Sequence, residues 1–335
     1  MAYRIGSKAR CTVIGYGSWA TALVKILLEN ETEVGWYIRK EEVRQHIAQH
    51  KTNPRYLRDV HFYTQHLNLP TRIDEAVEQA DILILAVPSV YLKLTLAELT
   101  VPLNDKFVVS AIKGIVPDEY LTIAEYLNRH YEMPFEQIGI ITGPCHAEEV
   151  ALERLSYLTV CCKSLENARL VGQKLKTSYI NVTPSTDIYG AEYASVLKNI
   201  YAIGVGIAIG LGYGDNFLAV LISNSAIEMA RFMQQTYPAE RQILASAYLG
   251  DLLVTSYSQF SRNRRFGLMI GKGYSVASAQ IEMSMVAEGY YAADCIHQIN
   301  KRFGVDMPIA EAVYAILYQQ ALPAETLQNM TQKLI

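Results

Sequence analysis

The feature that most limits the fold is a series of short, continuous apolar runs set between stretches of helical length. Residues 11–15, 34–38, 82–87, 107–111 and 138–142 are rich in β-branched side chains and show no in-and-out alternation. An alternating strand has one wet face. A strand without alternation is buried on both, as in a parallel sheet covered by helices. Residues 158–162 and 179–182 extend the series. Intervening stretches such as 19–28 and 120–131 are long enough for the crossover helices that parallel strands need. The first part of the chain therefore reads as α/β, a doubly wound sheet.

Past residue 185 the rhythm changes. Helical patterns take over at 193–209, 216–237, 241–255, 276–281 and 285–303, and another follows Pro308, a residue suited to opening a helix. Two domains are expected, 1–188 on the sheet and 189–335 all helical. A chain of 335 residues is long for one core. Thirty Lys plus Arg against 33 Asp plus Glu leave no basic excess, which argues against a nucleic-acid partner. The longest uncharged stretch, 199–214, is broken by glycine and falls short of the roughly 20 apolar residues of a spanning helix. The N-terminus lacks the apolar segment of a signal peptide. Five cysteines, two of them adjacent (Cys161 and Cys162), and no Cys-x-x-Cys fit a reduced compartment. A cytoplasmic, soluble protein without membrane insertion is expected.

The sharpest motif is Gly15-Tyr16-Gly17-Ser18-Trp19-Ala20, directly after the first strand and opening a helix. Gly15 permits the tight turn, Gly17 lets a pyrophosphate approach the backbone, and Ala20 allows close helix-to-strand packing. This placement makes the sheet Rossmann-type. At the end of the second strand an NAD-selective site usually carries an acidic residue; here stand Arg39 and Lys40, able to pair with a 2′-phosphate. NADP(H) is favoured and NAD(H) remains open, since Arg39 could instead stack on adenine and Glu41 and Glu42 follow at once. Loops at 86–89 and 110–114 leave the carboxyl ends of later strands, where ligands bind in such sheets. Lys113, followed by glycine, can place an ammonium beside an anion.

Gly143-Pro144-Cys145-His146-Ala147 also follows a strand. Cys145 with His146 as base is disfavoured as a nucleophilic pair, because neighbours on a turn seldom face each other. His46 and His50 share a helical face but lack an acidic partner, so no metal site is expected. Glu192, Ser195 and Asn199 recur at helical spacing, with Lys198 beside them at the start of an apolar run. A buried lysine needs a partner or a function, and desolvation lowers its pKa toward the operating pH. Asp251 and Thr255 share a face of a second helix. The basic stretch Ser261-Arg262-Asn263-Arg264-Arg265 offers donors for a phosphate, with Arg264 and Arg265 read as solvated turn residues.

Taken together, GYGSWATAL, NPRYL, AVPS, the lysine-glycine loop, GPCHAEEV, the block from Thr186 to Met229, GDLLVT, FSRNRRFG and VAEGY resemble the bacterial-type NAD(P)-dependent sn-glycerol-3-phosphate dehydrogenases nearly end to end. The resemblance implies a Rossmann domain followed by an all-α C-terminal domain, with substrate held between them. It implies interconversion of dihydroxyacetone phosphate and sn-glycerol 3-phosphate, supplying glycerophospholipid synthesis. Carried over by position, Lys198 is the proton donor or acceptor. Lys113, Gly143, Cys145, Asp251, Ser261, Arg262 and Asn263 line the substrate. Gly15 and Gly17 of the loop, with Ser18, Trp19, Arg39, Lys113, Ala147, Arg262, Val286 and Glu288, fall on cofactor positions. Such enzymes are often dimeric, which leaves room for a homodimer.

Three departures stand out. Ala20 replaces a common glycine. Cys145 and His146 replace a common Ser or Thr and Phe, and a thiol hydrogen-bonds more weakly than a hydroxyl. Asn224 stands where the family commonly has arginine. Asn224 and Cys145 keep open a related reductase of another small keto or hydroxy acid. A non-catalytic NAD(P)-binding sensor is the other alternative, although it would need none of Lys198, Asp251, Arg262 and Asn263.

Overall fold

The computed structural model describes residues 3–283 and 286–335. The chain divides into two compact units, Met1–Ile112 with Ile123–Ile188, and Lys113–Thr122 with Tyr189–Ile335. The segment Lys113–Thr122 falls with the helical unit, whereas the sequence places it with the sheet. Ile115 explains this, because its side chain belongs to the apolar core of the second unit.

The first unit is built on eight strands: β1 (Cys11–Ile14), β2 (Val34–Tyr37), β3 (Leu67–Asn68), β4 (Ile82–Leu85), β5 (Phe107–Ser110), β6 (Ile138–Thr142), β7 (Ser156–Cys162) and β8 (Ile180–Ser185). Their order is β3-β2-β1-β4-β5-β6-β7-β8. β1 to β6 run parallel, in the order of a dinucleotide-binding sheet. β7 then pairs antiparallel with β6 and carries β8 parallel to itself. β3 escapes sequence reading because two residues show no pattern. β8 tolerates Pro184 because it lies at the sheet edge, where a missing N–H breaks no ladder. Val13, Leu23, Ile26, Trp36, Phe107 and Val160 meet in its core.

In the second unit the helices are Ile188–Gly210, Asp215–Thr236, Asp251–Tyr257, Arg262–Gly271, Val276–Glu282, Glu288–Phe303, Pro308–Tyr318 and Pro323–Thr331. The expected helix at 241–255 is not continuous. The chain makes a π-type turn over Ser246–Gly250 before the short helix Asp251–Tyr257. The basic stretch at 261–265 opens a helix, capped by the Ser261 side chain accepting from Arg264 N, so Arg264 and Arg265 are helical rather than turn residues. Arg264 is half-buried, with its Nε sealed from solvent, and only Arg265 is exposed. The helix expected from 285 starts at Glu288, and Met285 lies outside the described residues. Two helices follow residue 307, each opened by proline.

Ile188–Gly210 is long and apolar enough, by length and composition, to cross a membrane, yet most of it is buried in the protein. A helix that is apolar all round suits the centre of a bundle equally well. Its own glycines fix what lies against it. A Cβ added at Gly206 would stand 2.1 Å from Arg264 O, and one at Gly267 would stand 2.1 Å from Ile203 O. Gly210 and Gly271 meet Leu268 O and Ile207 O in the same way, at 2.6 and 2.3 Å. Ile188–Gly210 and Arg262–Gly271 thus pack backbone to backbone along a four-glycine seam. Gly267→Ala should therefore cost about 1–3 kcal/mol, the usual penalty of overpacking. Gly214→Ala, where the new methyl meets nothing within 4 Å, should change stability little. Thermal unfolding of both variants checks this, and equal stabilities would rule out the seam.

Candidate active site

In the first unit the chain leaves β1 through Gly15, whose φ of +122° suits glycine and whose Cβ would lie 2.5 Å from Ala86 O. The turn is tied down on several sides. Gly15 N donates to Tyr37 O at 3.1 Å, and the buried Trp36 donates from Nε1 to Gly15 O at 2.6 Å. Asn53, fully buried, donates from Nδ2 to Tyr16 O at 2.9 Å and to Thr21 Oγ1 at 2.8 Å. Thr21 Oγ1 in turn donates to Gly17 O at 2.9 Å.

Gly17 caps the helix Ser18–Asn30, which has no side-chain cap and no acidic residue in its first turn. A Cβ at Gly17 would meet nothing within 4 Å. The first-turn N–H groups, at the positive end of the helix, are thus left without a side-chain cap. Beside them the Trp19 Nε1 donor is buried without a hydrogen-bond partner among the described residues. A cradle of backbone donors with an unspent indole N–H fits the pyrophosphate of a dinucleotide. Arg39, exposed beyond β2, makes no ion pair or hydrogen bond among the described residues. Burial pushes the Tyr16 and Tyr37 phenols up, and the Arg39 guanidinium pulls both back, which places its charge beside the glycine turn.

The same unit holds Gly143, Cys145 and Ala147. Gly143 has a φ of +113°, and a Cβ there would lie 2.7 Å from Tyr157 O, so the turn after β6 demands glycine. Cys145 and Ala147 are buried, and Ala147 begins the short helix Ala147–Ala151. All five cysteines are buried thiols.

The second unit brings together Lys113, Lys198 and Asp251. Asp251 is 1% exposed and Lys198 4%. Lys198 Nζ donates to Asp251 Oδ1, and Lys113 Nζ donates to Asp251 Oδ2 at 3.2 Å. One carboxylate thus faces two ammonium groups, a surplus of one positive charge, with Lys198 buried and Lys113 partly exposed. Burial pulls Lys198 down to about 7; Asp251 opposes this and Lys113 adds to it. Burial alone would raise Asp251, but the two ammonium groups outweigh it and hold the carboxyl below its usual range. Loss of the Lys198 proton makes the cluster neutral. That is why a buried ammonium with a carboxylate partner can still release one.

An amide relay fixes this cluster. Asn199 Nδ2 donates to Lys113 O at 2.8 Å, and Asn263 Nδ2 donates to Asn199 Oδ1 at 2.8 Å. Gly289 N donates to Asn263 Oδ1 at 2.9 Å. Ser261 caps the helix that Arg262 begins, and Arg262 Nη1 donates to Val286 O at 3.4 Å. Glu288 begins the next helix. Lys113, Lys198, Asp251, Ser261, Arg262, Asn263, Val286 and Glu288 therefore all belong to the second unit. Gly15, Gly17, Ser18, Trp19, Arg39, Gly143, Cys145 and Ala147 belong to the first.

One position here was missed by sequence reasoning, and a second was marked without its role. Asn53 locks the glycine turn, and its only signal was its place before Pro54 in NPRYL. Asn199 links the Lys113 loop to Asn263, although helical spacing alone had marked it. The departure at Asn224 is absorbed locally: its amide exchanges hydrogen bonds with the backbone of Ile335, at 2.8 and 2.9 Å, and donates to Val220 O at 3.0 Å.

Residues 10–168 match the family model for the N-terminus of NAD-dependent glycerol-3-phosphate dehydrogenase, and residues 187–328 match that for its C-terminus. A glycerol-3-phosphate dehydrogenase (NAD(P)+) of Exiguobacterium is 35% identical over 97% of this chain and 96% of its own length. One from Macrococcus caseolyticus is 33% identical over 96% and 97%. The crystal structure of glycerol-3-phosphate dehydrogenase from Coxiella burnetii superposes with a TM-score of 0.89 at 25% identity, covering 97% of this chain and 99% of that one. Two matched halves, relatives spanning nearly the whole length and a shared fold lead to one assignment: the chain belongs to the NAD-dependent glycerol-3-phosphate dehydrogenase family.

Proposed function

We propose that this protein interconverts dihydroxyacetone phosphate and sn-glycerol 3-phosphate, using NADP(H) in preference to NAD(H). The observation that carries the reading is the buried Asp251 carboxylate set between the ammonium groups of Lys113 and Lys198. When bound, the nicotinamide supplies or accepts the hydride. What remains for the protein is to hold the substrate, move one proton and exclude water.

Lys198 is the general acid of ketone reduction. Its ammonium stabilises the negative charge that develops on the carbonyl oxygen and then gives up a proton to it. Asp251 orients that ammonium, and Lys113 keeps Asp251 ionised after the proton has gone. In the reverse direction neutral Lys198 takes the proton from the substrate hydroxyl. Arg262, at the start of a capped helix, pairs with the substrate phosphate, with Asn263 beside it held by Asn199 and Gly289 N. Binding energy from the phosphate then positions the carbonyl for reaction. Gly143 and Cys145 complete the substrate contacts in this reading. Gly15, Gly17, Ser18, Trp19, Arg39 and Ala147, with Lys113, Arg262, Val286 and Glu288, hold the coenzyme.

Oxidation of NADPH and NADH with dihydroxyacetone phosphate, run beside unphosphorylated dihydroxyacetone, tests the assignment. Turnover should require the phosphorylated ketone and run better with NADPH. Equal rates on the two ketones would remove the phosphate role of Arg262, and no turnover with either would overturn the reaction.

Lys198→Ala should lower kcat by about 10²–10⁴-fold, the usual worth of a positioned acid or base, and leave coenzyme affinity nearly unchanged. The pH dependence follows from a pKa lowered to about 7. Reduction needs the protonated amine, so its kcat should fall as pH rises through that value. Oxidation needs the neutral amine, so its kcat should rise over the same range. Profiles that do not run in opposite directions would exclude Lys198 as the proton carrier.

A further inference from the structure

The coenzyme preference proposed above rests on Arg39, but the structure places a second guanidinium nearby. Asn53 binds the glycine turn through Tyr16 O and also accepts from Arg55 N at 3.0 Å and Tyr56 N at 3.2 Å. One buried amide therefore ties the loop that carries Arg55 directly to the nucleotide turn. The Tyr16 and Tyr56 rings stand 6.3 Å apart in a tilted contact. Arg55 Nη2 pairs with Glu42 Oε1 at 3.1 Å, and Glu42 sits in the first turn of the helix Glu41–His50, just beyond Arg39. Arg55, Arg39 and Glu42 all act on the half-buried Tyr16 phenol, the two arginines lowering its pKa and Glu42 raising it. Four groups from three chain segments thus gather beside the turn that would hold the adenosine half of the coenzyme.

The Arg55–Glu42 pair has the character of an exchangeable contact. Its two side chains are 49% and 67% exposed. An exposed ion pair contributes little to stability and gives way readily to a stronger partner. A phosphate dianion is such a partner, because guanidinium binds it through two parallel hydrogen bonds. An uncharged ribose hydroxyl is not.

We infer that Arg55 is a second reader of the adenosine 2′ position, and that Glu42 sets its selectivity by holding it when no 2′-phosphate is present. This rests on the proposed use of NADP(H). With a 2′-phosphate, Arg55 leaves Glu42 and pairs with the phosphate opposite Arg39. With a plain ribose, Arg55 stays on Glu42. The carboxylate then repels any phosphate that lacks both arginines to offset it, so preference depends on the balance of the three charges rather than on Arg39 alone.

The test uses the full chain and two probes that differ by the group in question, adenosine 2′,5′-bisphosphate and 5′-AMP, titrated by calorimetry. The wild type should bind the bisphosphate more tightly. Arg55→Gln should shrink that preference about tenfold, the worth of one charge-assisted contact. Glu42→Gln should enlarge it several-fold by freeing Arg55 and removing the repulsion. Both side chains are exposed, so neither substitution disturbs the core. If Arg39→Ala reduces the preference while Arg55→Gln and Glu42→Gln leave it unchanged, the inference fails and the coenzyme reading stands. If the wild type binds neither probe, or binds both equally and no variant alters this, the coenzyme reading fails and this inference falls with it.

Discussion

The interaction on which the second unit depends is the one between Asp251 and its two lysines. Two buried charges and a third, partly buried one carry a desolvation cost that only close, well-aligned contacts can offset. The carboxylate satisfies each ammonium with a different oxygen, so neither lysine can be lost without leaving the other pair distorted. Such a cluster requires rigid surroundings. The glycine seam brings the backbone of Arg262–Gly271 onto Ile188–Gly210 with no side chain between them. The amide relay then ties the Lys113 loop to both helices and to Gly289. Packing and hydrogen bonding thus hold one proton-bearing nitrogen at a fixed place.

The first unit solves a different problem with the same economy of charge. Its helix start at Gly17 presents neutral backbone donors with no side-chain cap, and Asn53 ties the turn without adding a charge of its own. Around the turn, formal positive charge stands on the exposed side chains of Arg39 and Arg55. This separation has a physical reason. Backbone donors suit any pyrophosphate, whereas side-chain charge can be tuned position by position, so in the proposed coenzyme site affinity and selectivity fall to different atoms.

What was legible in the sequence follows from the range of each signal. Apolar runs without alternation pointed to buried parallel strands, and glycines at fixed offsets after β1 pointed to the nucleotide turn, because both are local patterns. β3 is too short to have a pattern, and the π-type turn before Asp251 has no periodicity of its own. Arg264 and Arg265 read as solvated turn residues because charge dominates the composition of 261–265. Its helix is specified instead by a cap at Ser261 and by glycines at 267 and 271 facing a helix some 60 residues away in the chain. The buried state of Lys198 was visible from the apolar run beside it. That Lys113 shares its carboxylate was not, since the two lysines are far apart in sequence and meet only through Asp251.

The departures from the family pattern now have unequal weight. Asn224 is held by the backbone of Ile335 and of its own helix, so its polar atoms are spent on the fold and the exchange from a charged to an amide side chain is met by local bonds. Without a guanidinium at that position, the proposed grip on a substrate phosphate rests on Arg262 at the start of its capped helix. Arg262 is itself steered by the carbonyl of Val286, which orients the fork but leaves its charge unneutralised. A carbonyl is a suitable partner for that purpose, because a carboxylate there would compete with the phosphate. Arg262 is thus fixed by a neutral group, as the glycine turn of the first unit is fixed by the Asn53 amide.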